Sequence, residues 1–209
     1  DYLSGSGGLK LADDSASSTA ANRFDLAADV TLTAPCIAVL KYDATSSRWR
    51  VMASPSSGAG KIKQIVFATK TDTFSTASTT FTDLTGLSVS LTPTSASNNV
   101  LVMASILSGN SANNHCRYNL LRDSTIITQG DTAGSRISST TVAAPDAAFN
   151  MDTAKAIAID TPGDTSAHTY KVQMAVGGGT GYVNRTGTDT DSATYSRGTS
   201  TIIAVEYEP

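Results

Sequence analysis

From Lys61 onward the chain is a string of short runs in which apolar and polar residues change places at every second position. The runs are IKQIVFAT, TTFTDL, LSVSL, NVLVMASIL, HCRYNLL, TIIT, TTVAAP, AKAIAID, TYKVQMAVG and STIIAVEY. Turn-forming stretches such as TPTSASNN, SGNSANN, GDTAGS, DTPGDTSA and GGGTG separate them, so that a break falls about every 8–12 residues. A period of two turns one face of a strand inward. No window carries an apolar i, i+3, i+4, i+7 stripe for more than about one turn, so helices are not the organising element. Ten short strands over residues 61–209 suit an antiparallel jelly roll, two sheets packed face to face. The last run, with Ile202, Ile203, Val205 and Tyr207, is too apolar for a solvated edge and is expected inside a sheet.

Residues 9–53 repeat the pattern on a smaller scale. LKLA opens it, Phe24 alternates with Leu26, Val30 with Leu32 and Ile37 with Val39. Asp43–Ser47 supplies a turn, and Trp49 and Val51 return on the partner strand of a hairpin. A unit of this size buries too little surface to stand alone and should lean on copies of itself or on its neighbour. SPSSGAG, residues 54–60, is small, polar and broken by Pro and Gly, as linkers are. The expected order is a flexible segment over 1–8, a small β-hairpin module over 9–53, a linker over 54–60 and a jelly-roll sandwich over 61–209, all-β throughout.

Hydrophobic residues make up 40% of the chain, enough for a packed core, while charged residues reach only 16% against a usual ~25%. Ser and Thr serve instead as strand residues and neutral coating. The net charge is −3 and the 15 Lys and Arg are scattered, which argues against nucleic acid as a partner. No apolar run approaches the ~18 residues of a membrane span. No charged-then-apolar leader opens the chain as given, and its start at Asp1 fits a processed product or part of a longer chain. Cys36 and Cys116 fall in different modules and read as buried free thiols, with a bond between subunits as the alternative.

Chemistry is sparse. His115 and His168 are isolated, without the spacing of a zinc site. His115 and Cys116 are strand neighbours that point to opposite faces, and His168 follows a turn and reads as capping or decorating a loop. There is no GxSxG elbow, and Gly177–Gly181 lacks the Lys and helix of a phosphate loop. No catalytic residue and no cofactor is assigned. Asp189 and Asp191, like Asp160 and Asp164, could offer oxygens to calcium, but they lack the Gly and distal Glu of an EF-hand, so no metal is assigned either. Asn184-Arg185-Thr186 fits a glycosylation acceptor and is discounted.

The stretch YVNRTGTDTDSATYSRGTS, residues 182–200, is long for a strand connection. It sets Tyr182, Arg185, Tyr195 and Arg197 among small polar residues, the mix that adaptable recognition loops use. These four are the candidate binding residues. The alternative is a mobile solvent loop.

Two parts of the chain resemble virion proteins. LKLADD, NRFDLAADVTLTAPCIAVLKYDATSSRWRVM and above all Tyr42-Asp43 and Arg48-Trp49-Arg50 resemble a small β module of bacteriophage tail-fibre and related virion proteins, in which strands stack around a trimer axis. FSTASTTFTDLTGLSVSL over residues 74–91, NVLVMASI, RYNLLRD and the closing TIIAVEYEP are similar to the jelly-roll heads at the tips of such fibres, which look like the C1q and tumour-necrosis-factor folds. The resemblance implies a homotrimer on the virion surface. Its N-terminal part would dock on other virion proteins, and its head would meet a host-surface glycan or protein, with neither nucleic acid nor membrane involved. Trp49 and Tyr42 would then be trimer-interface residues; Trp49 filling a hairpin core within one chain is the equal alternative. A capsid decoration or head-fibre protein is the runner-up. A secreted C1q-like or lectin-like binding module is the alternative from another class, and an enzyme is not expected.

Overall fold

A computed structural model describes residues 9–11, 30–32, 39–53 and 61–209. The expectations for residues 1–8, the Phe24–Leu26 alternation, Cys36, Ile37 and the 54–60 spacer lie outside the described residues. The chain forms two compact units, Asp1–Gly60 and Lys61–Pro209.

In the first unit, β1 (Leu9–Leu11) pairs antiparallel with β2 (Val30–Leu32). β3 (Val39–Asp43) pairs with β4 (Arg48–Ala53) as a hairpin. Asp43 builds the turn: its carboxylate accepts from the Thr45 N–H, the Ser46 hydroxyl and Arg50 Nε, each at 3.0 Å. Ser47 takes the left-handed conformation there (φ 54°), one that Ser adopts at some cost. Tyr42 and Trp49 stand opposite each other across the hairpin. Their ring centroids are 5.3 Å apart at 59°, a tilted aromatic pair.

The second unit is all-β, two antiparallel sheets packed as a sandwich. Its strands are β5 (Ile62–Lys70), β6 (Phe74–Thr76), β7 (Thr82–Leu91), β8 (Asn99–Asn110), β9 (Cys116–Arg122), β10 (Thr125–Thr128), β11 (Thr141–Ala143), β12 (Asp152–Asp160), β13 (His168–Val176), β14 (Gly181–Val183) and β15 (Ser200–Tyr207). One sheet runs β5-β15-β8-β12, with β6 and β14 extending β5 and β15. The other runs β7-β13-β9, with β10 and β11 sharing the outer edge of β9. Successive long strands therefore alternate between sheets, the crossing pattern of a jelly roll. β15 lies between β5 and β8, inside the sheet as its apolar sequence requires.

Alternation decides which side chains meet in the middle. β8 sends Val100, Val102, Ala104 and Ile106 inward, β15 sends Ile202 and Ala204, and β12 sends Ala154, Ala156 and Ala158, all buried. Leu87, Val89, Tyr118, Leu120, Tyr170, Val172 and Met174 come from the other sheet. The two tyrosines cross the interior to polar partners. Tyr118 donates to Ser108 Oγ at 2.7 Å and Tyr170 to Asp160 at 2.8 Å. Arg122 Nη1 reaches both Asp160 oxygens, at 2.8 and 2.7 Å, so β12 is tied to β9 and β13 across the sandwich.

Glu206 is the one inward carboxylate of β15 and is fully buried. It accepts from the Thr94 N–H (2.6 Å), the Thr94 hydroxyl (2.8 Å), Asn98 Nδ2 (2.6 Å) and Gln64 Nε2 (2.6 Å). Burial opposes its ionisation, but these donors outweigh burial and hold its carboxyl at about 2. Glu206 thereby fastens the β7–β8 connection to the central strands.

Three local readings change. TTFTDL and LSVSL form one strand, β7, because Gly86 (φ 82°) lets the chain bulge: the buried positions slip from Leu84 to Leu87, and the ladder with β13 resumes across a register shift between Lys171 and Gln173. β6 and β14, three residues each, add two strands that alternation cannot reveal. His168 caps the preceding loop rather than decorating it. It opens β13, is 8% exposed, and lies between Asp123 (2.8 Å) and Asp164 (3.2 Å).

Candidate functional site

The long loop between β14 and β15 covers one end of the sandwich, and its two ends are pinned. Asn184 stands in the left-handed conformation (φ 63°), which Asn tolerates better than most residues. Its Nδ2 donates to the carbonyls of Lys70 (2.8 Å) and Asp72 (2.9 Å), and its Oδ1 accepts from the Ser200 hydroxyl (2.6 Å). Ser200 Oγ in turn accepts from the Leu107 N–H at 3.0 Å. Gly187 then passes so close to β8 that a Cβ would lie 2.3 Å from the Asn110 carbonyl oxygen. Only glycine fits that approach.

Arg185 and Arg197 face each other across the loop in an isolated bridge, and both reach Asp189, at 3.0 and 2.7 Å. Arg185 is further fixed by the carbonyls of Thr186 (3.1 Å) and Gly187 (3.2 Å), and its guanidinium lies 3.9 Å over the Tyr182 ring, a cation–π distance. Beside this cluster a recess of about 300 Å³ opens, lined by residues 189–192 and 195–197. Of the four residues singled out from sequence, Tyr195 and Arg197 line the recess, while Tyr182 and Arg185 hold it up from behind. Asp189 is committed to the two arginines. No group of three or more His, Cys, Asp or Glu that could hold a metal ion occurs among the described residues. Asp160 and Asp164 are spent on Arg122 and His168 respectively. The sequence reading passed over Asn184 and Ser200 as anchors. The sequence carried no distinct signal for either, since β14, the strand that Asn184 follows, is too short for alternation to reveal.

The recess lies at the end of the unit remote from Lys61. Lys61 accepts from the Glu208 N–H at 2.7 Å, at the start of β5 and the close of β15. The loop sits where β5 ends and β15 begins, since Ser200 pairs with Lys70. Nine strand residues, roughly 25–30 Å, separate the two ends.

A second surface stands out on the outward face of the β5-β15-β8-β12 sheet. The registers place Phe67 beside Ile203, Ile203 beside Met103 and Met103 beside Ile157, so one residue from each strand forms a continuous row. The adjacent row is Ile65, Val205, Leu101 and Ile159. A polar row of Thr69, Thr201, Ser105 and Lys155 borders them on one side; on the other, Tyr207 lies between Asn99, which Thr161 meets, and the exposed Ile62. Ile65, Phe67, Ile157 and Ile159 are 57%, 70%, 64% and 61% exposed. A shallow hollow of about 170 Å³ lies among Met103, Ile157 and Ile203. In the first unit, Tyr42 is 38% exposed and Trp49 half-buried, paired with each other.

Neither a protein-family model nor the sequence of a curated protein matches the chain.

Proposed function

We propose that the protein is a non-enzymatic structural component of a bacteriophage particle, a fibre whose jelly-roll head associates with copies of itself and is exposed for host-surface binding. The observation that carries this reading is the pair of apolar rows on the outward sheet face. Eight apolar side chains in unbroken register form a contiguous patch of the kind that marks a protein–protein surface. Covering only the four that are more than half exposed contributes roughly 4–8 kcal/mol per copy.

A second copy is the occupant the face favours. Phe67 protrudes from the β5 side, while the hollow by Met103 and Ile157 lies on the β8–β12 side of the same face. A bump and a hollow on one surface can engage reciprocally about a two-fold axis or head to tail, and a head-to-tail contact closes into a ring where the rotation between copies permits. The number three comes from the resemblance to fibre-tip heads, as do the virion location and the docking of residues 9–53 on other virion proteins. The same resemblance makes Trp49 and Tyr42 trimer-interface residues of the first unit. A capsid decoration or head-fibre protein would use the same face.

Native mass spectrometry of the full chain tests the reading. Three times the monomer mass is the expected result, and a folded monomer at micromolar concentration overturns it.

A further inference from the structure

We infer that the recess at residues 189–197 is a binding site for a neutral, hydroxyl-rich ligand, a glycan presenting one uncharged sugar ring, with Asp191 as acceptor and Tyr195 as platform. This inference rests on the proposed exposure of the head, and names what the exposed end would meet.

The site is held before any ligand arrives. Both ends of its loop are fastened to β5 and β8 by Asn184 and Ser200. One wall is the Asp189 carboxylate, clamped by Arg185 and Arg197. A second turn is set by the Tyr195 N–H donating to the Ser192 carbonyl at 3.1 Å. A ligand entering such a site does not have to order the loop, which removes a large part of the cost of weak binding.

The groups left over define the chemistry. Asp191 lines the recess with no hydrogen bond or ion pair among the described residues. The Tyr195 hydroxyl is likewise unengaged. A carboxylate facing solvent accepts from paired hydroxyls, and an aromatic face packs against the C–H side of a sugar ring. Charge excludes the commonest competitor. Arg185 and Arg197 are matched by Asp189 and Asp191, so the cluster sums to zero and offers no surplus cation to a phosphate or carboxylate ligand. No aliphatic side chain larger than a methyl lines the recess, which disfavours an apolar ligand. The volume, about 300 Å³, is at the small end of ligand pockets and suits one ring rather than a long chain. Three copies side by side would present three such sites, and multivalency would raise the avidity of weak single contacts.

The experiment uses the full chain with uncharged methyl hexosides and methyl N-acetylhexosaminides at millimolar concentration, read by saturation-transfer NMR, with sialyllactose as the acidic comparison. Transfer to at least one neutral glycoside is expected. Asp191→Ala and Tyr195→Phe report on acceptor and hydroxyl, and Tyr195→Ala on the platform. Asp191→Ala and Tyr195→Ala should each weaken binding about tenfold or more, with native mass and melting temperature unchanged. The inference falls if no neutral glycoside shows transfer, if sialyllactose alone binds, or if binding survives both alanine variants. A trimer that binds no glycoside sinks the glycan site and leaves the self-association reading standing. A monomer that binds one does the reverse.

Discussion

Asn184 and Ser200 join the two ends of the tip loop through one 2.6 Å side-chain hydrogen bond, and both residues are buried. Fifteen residues lie between them, so this contact, with the carbonyls of Lys70 and Asp72, decides whether the loop is a shaped wall or a tether.

Asn184→Ala should therefore cost roughly 2–4 kcal/mol, from the lost hydrogen bonds and the left-handed backbone together. Asn184→Gly removes the same bonds but relieves the backbone, and should recover about 1 kcal/mol. Hydrogen exchange of residues 185–199 should accelerate in both variants. Unchanged exchange would mean the loop is held elsewhere.

Glu206 predicts an acid-sensitive step. Its carboxyl sits at about 2 against an ordinary 4.5, so its contribution is complete above about pH 4.5 and is lost as pH falls towards 2. The size is about 3 kcal/mol. Glu206→Gln turns an acceptor into a partial donor facing Asn98 and Gln64. It should lower stability at pH 7 by a similar amount and flatten this part of the pH dependence. Urea unfolding of both proteins at pH 7 and pH 3 makes the comparison, since other carboxylates titrate equally in each.

The Asp160 network predicts an asymmetry. Asp160→Ala leaves the half-buried Arg122 and the buried Tyr170 hydroxyl without their shared acceptor, at a cost of about 3–5 kcal/mol. Replacing Arg122 and Asp160 together with Met and Ala should cost less than Asp160→Ala alone. Thermal melting of the parent, Asp160→Ala, Arg122→Met and the double variant checks it; a strictly additive double variant would contradict the coupling.

Phe67→Glu should separate assembly from folding. The side chain is 70% exposed, so a single copy should lose no more than about 0.5 kcal/mol of stability. The charge would be buried in the proposed interface. Native mass should fall to that of the monomer while the melting of the separated chain persists. A variant that still assembles would move the interface away from this face.

The long strands were readable because they alternate. In β12, DTAKAIAID reports both faces at a glance, and the inward alanines and outward Lys155, Ile157 follow from phase alone. The apolar outward rows were also written in the sequence, as runs in which both phases are apolar: VLVMA in β8 and TIIAV in β15. Such runs mark strands covered on both faces, but phase cannot say which neighbour covers the second. The recess was legible only as a loop rich in Tyr, Arg and Asp. That Arg185 and Arg197 would converge on Asp189, and leave Asp191 unspent, depends on where Asn184 turns the chain. Gly86 hid the unity of β7 for a related reason, since one residue outside the usual backbone region shifts the phase of everything after it.

The place of β15 has a consequence for biosynthesis. β5 and β8 do not pair with each other; each pairs with β15. While the nascent chain still ends before Ser200, β5 has no neighbour in its sheet, and each apolar row lacks one of its four members. A ribosome that stalls short of Tyr207 thus releases a chain that can neither close its sandwich nor present the face proposed for assembly.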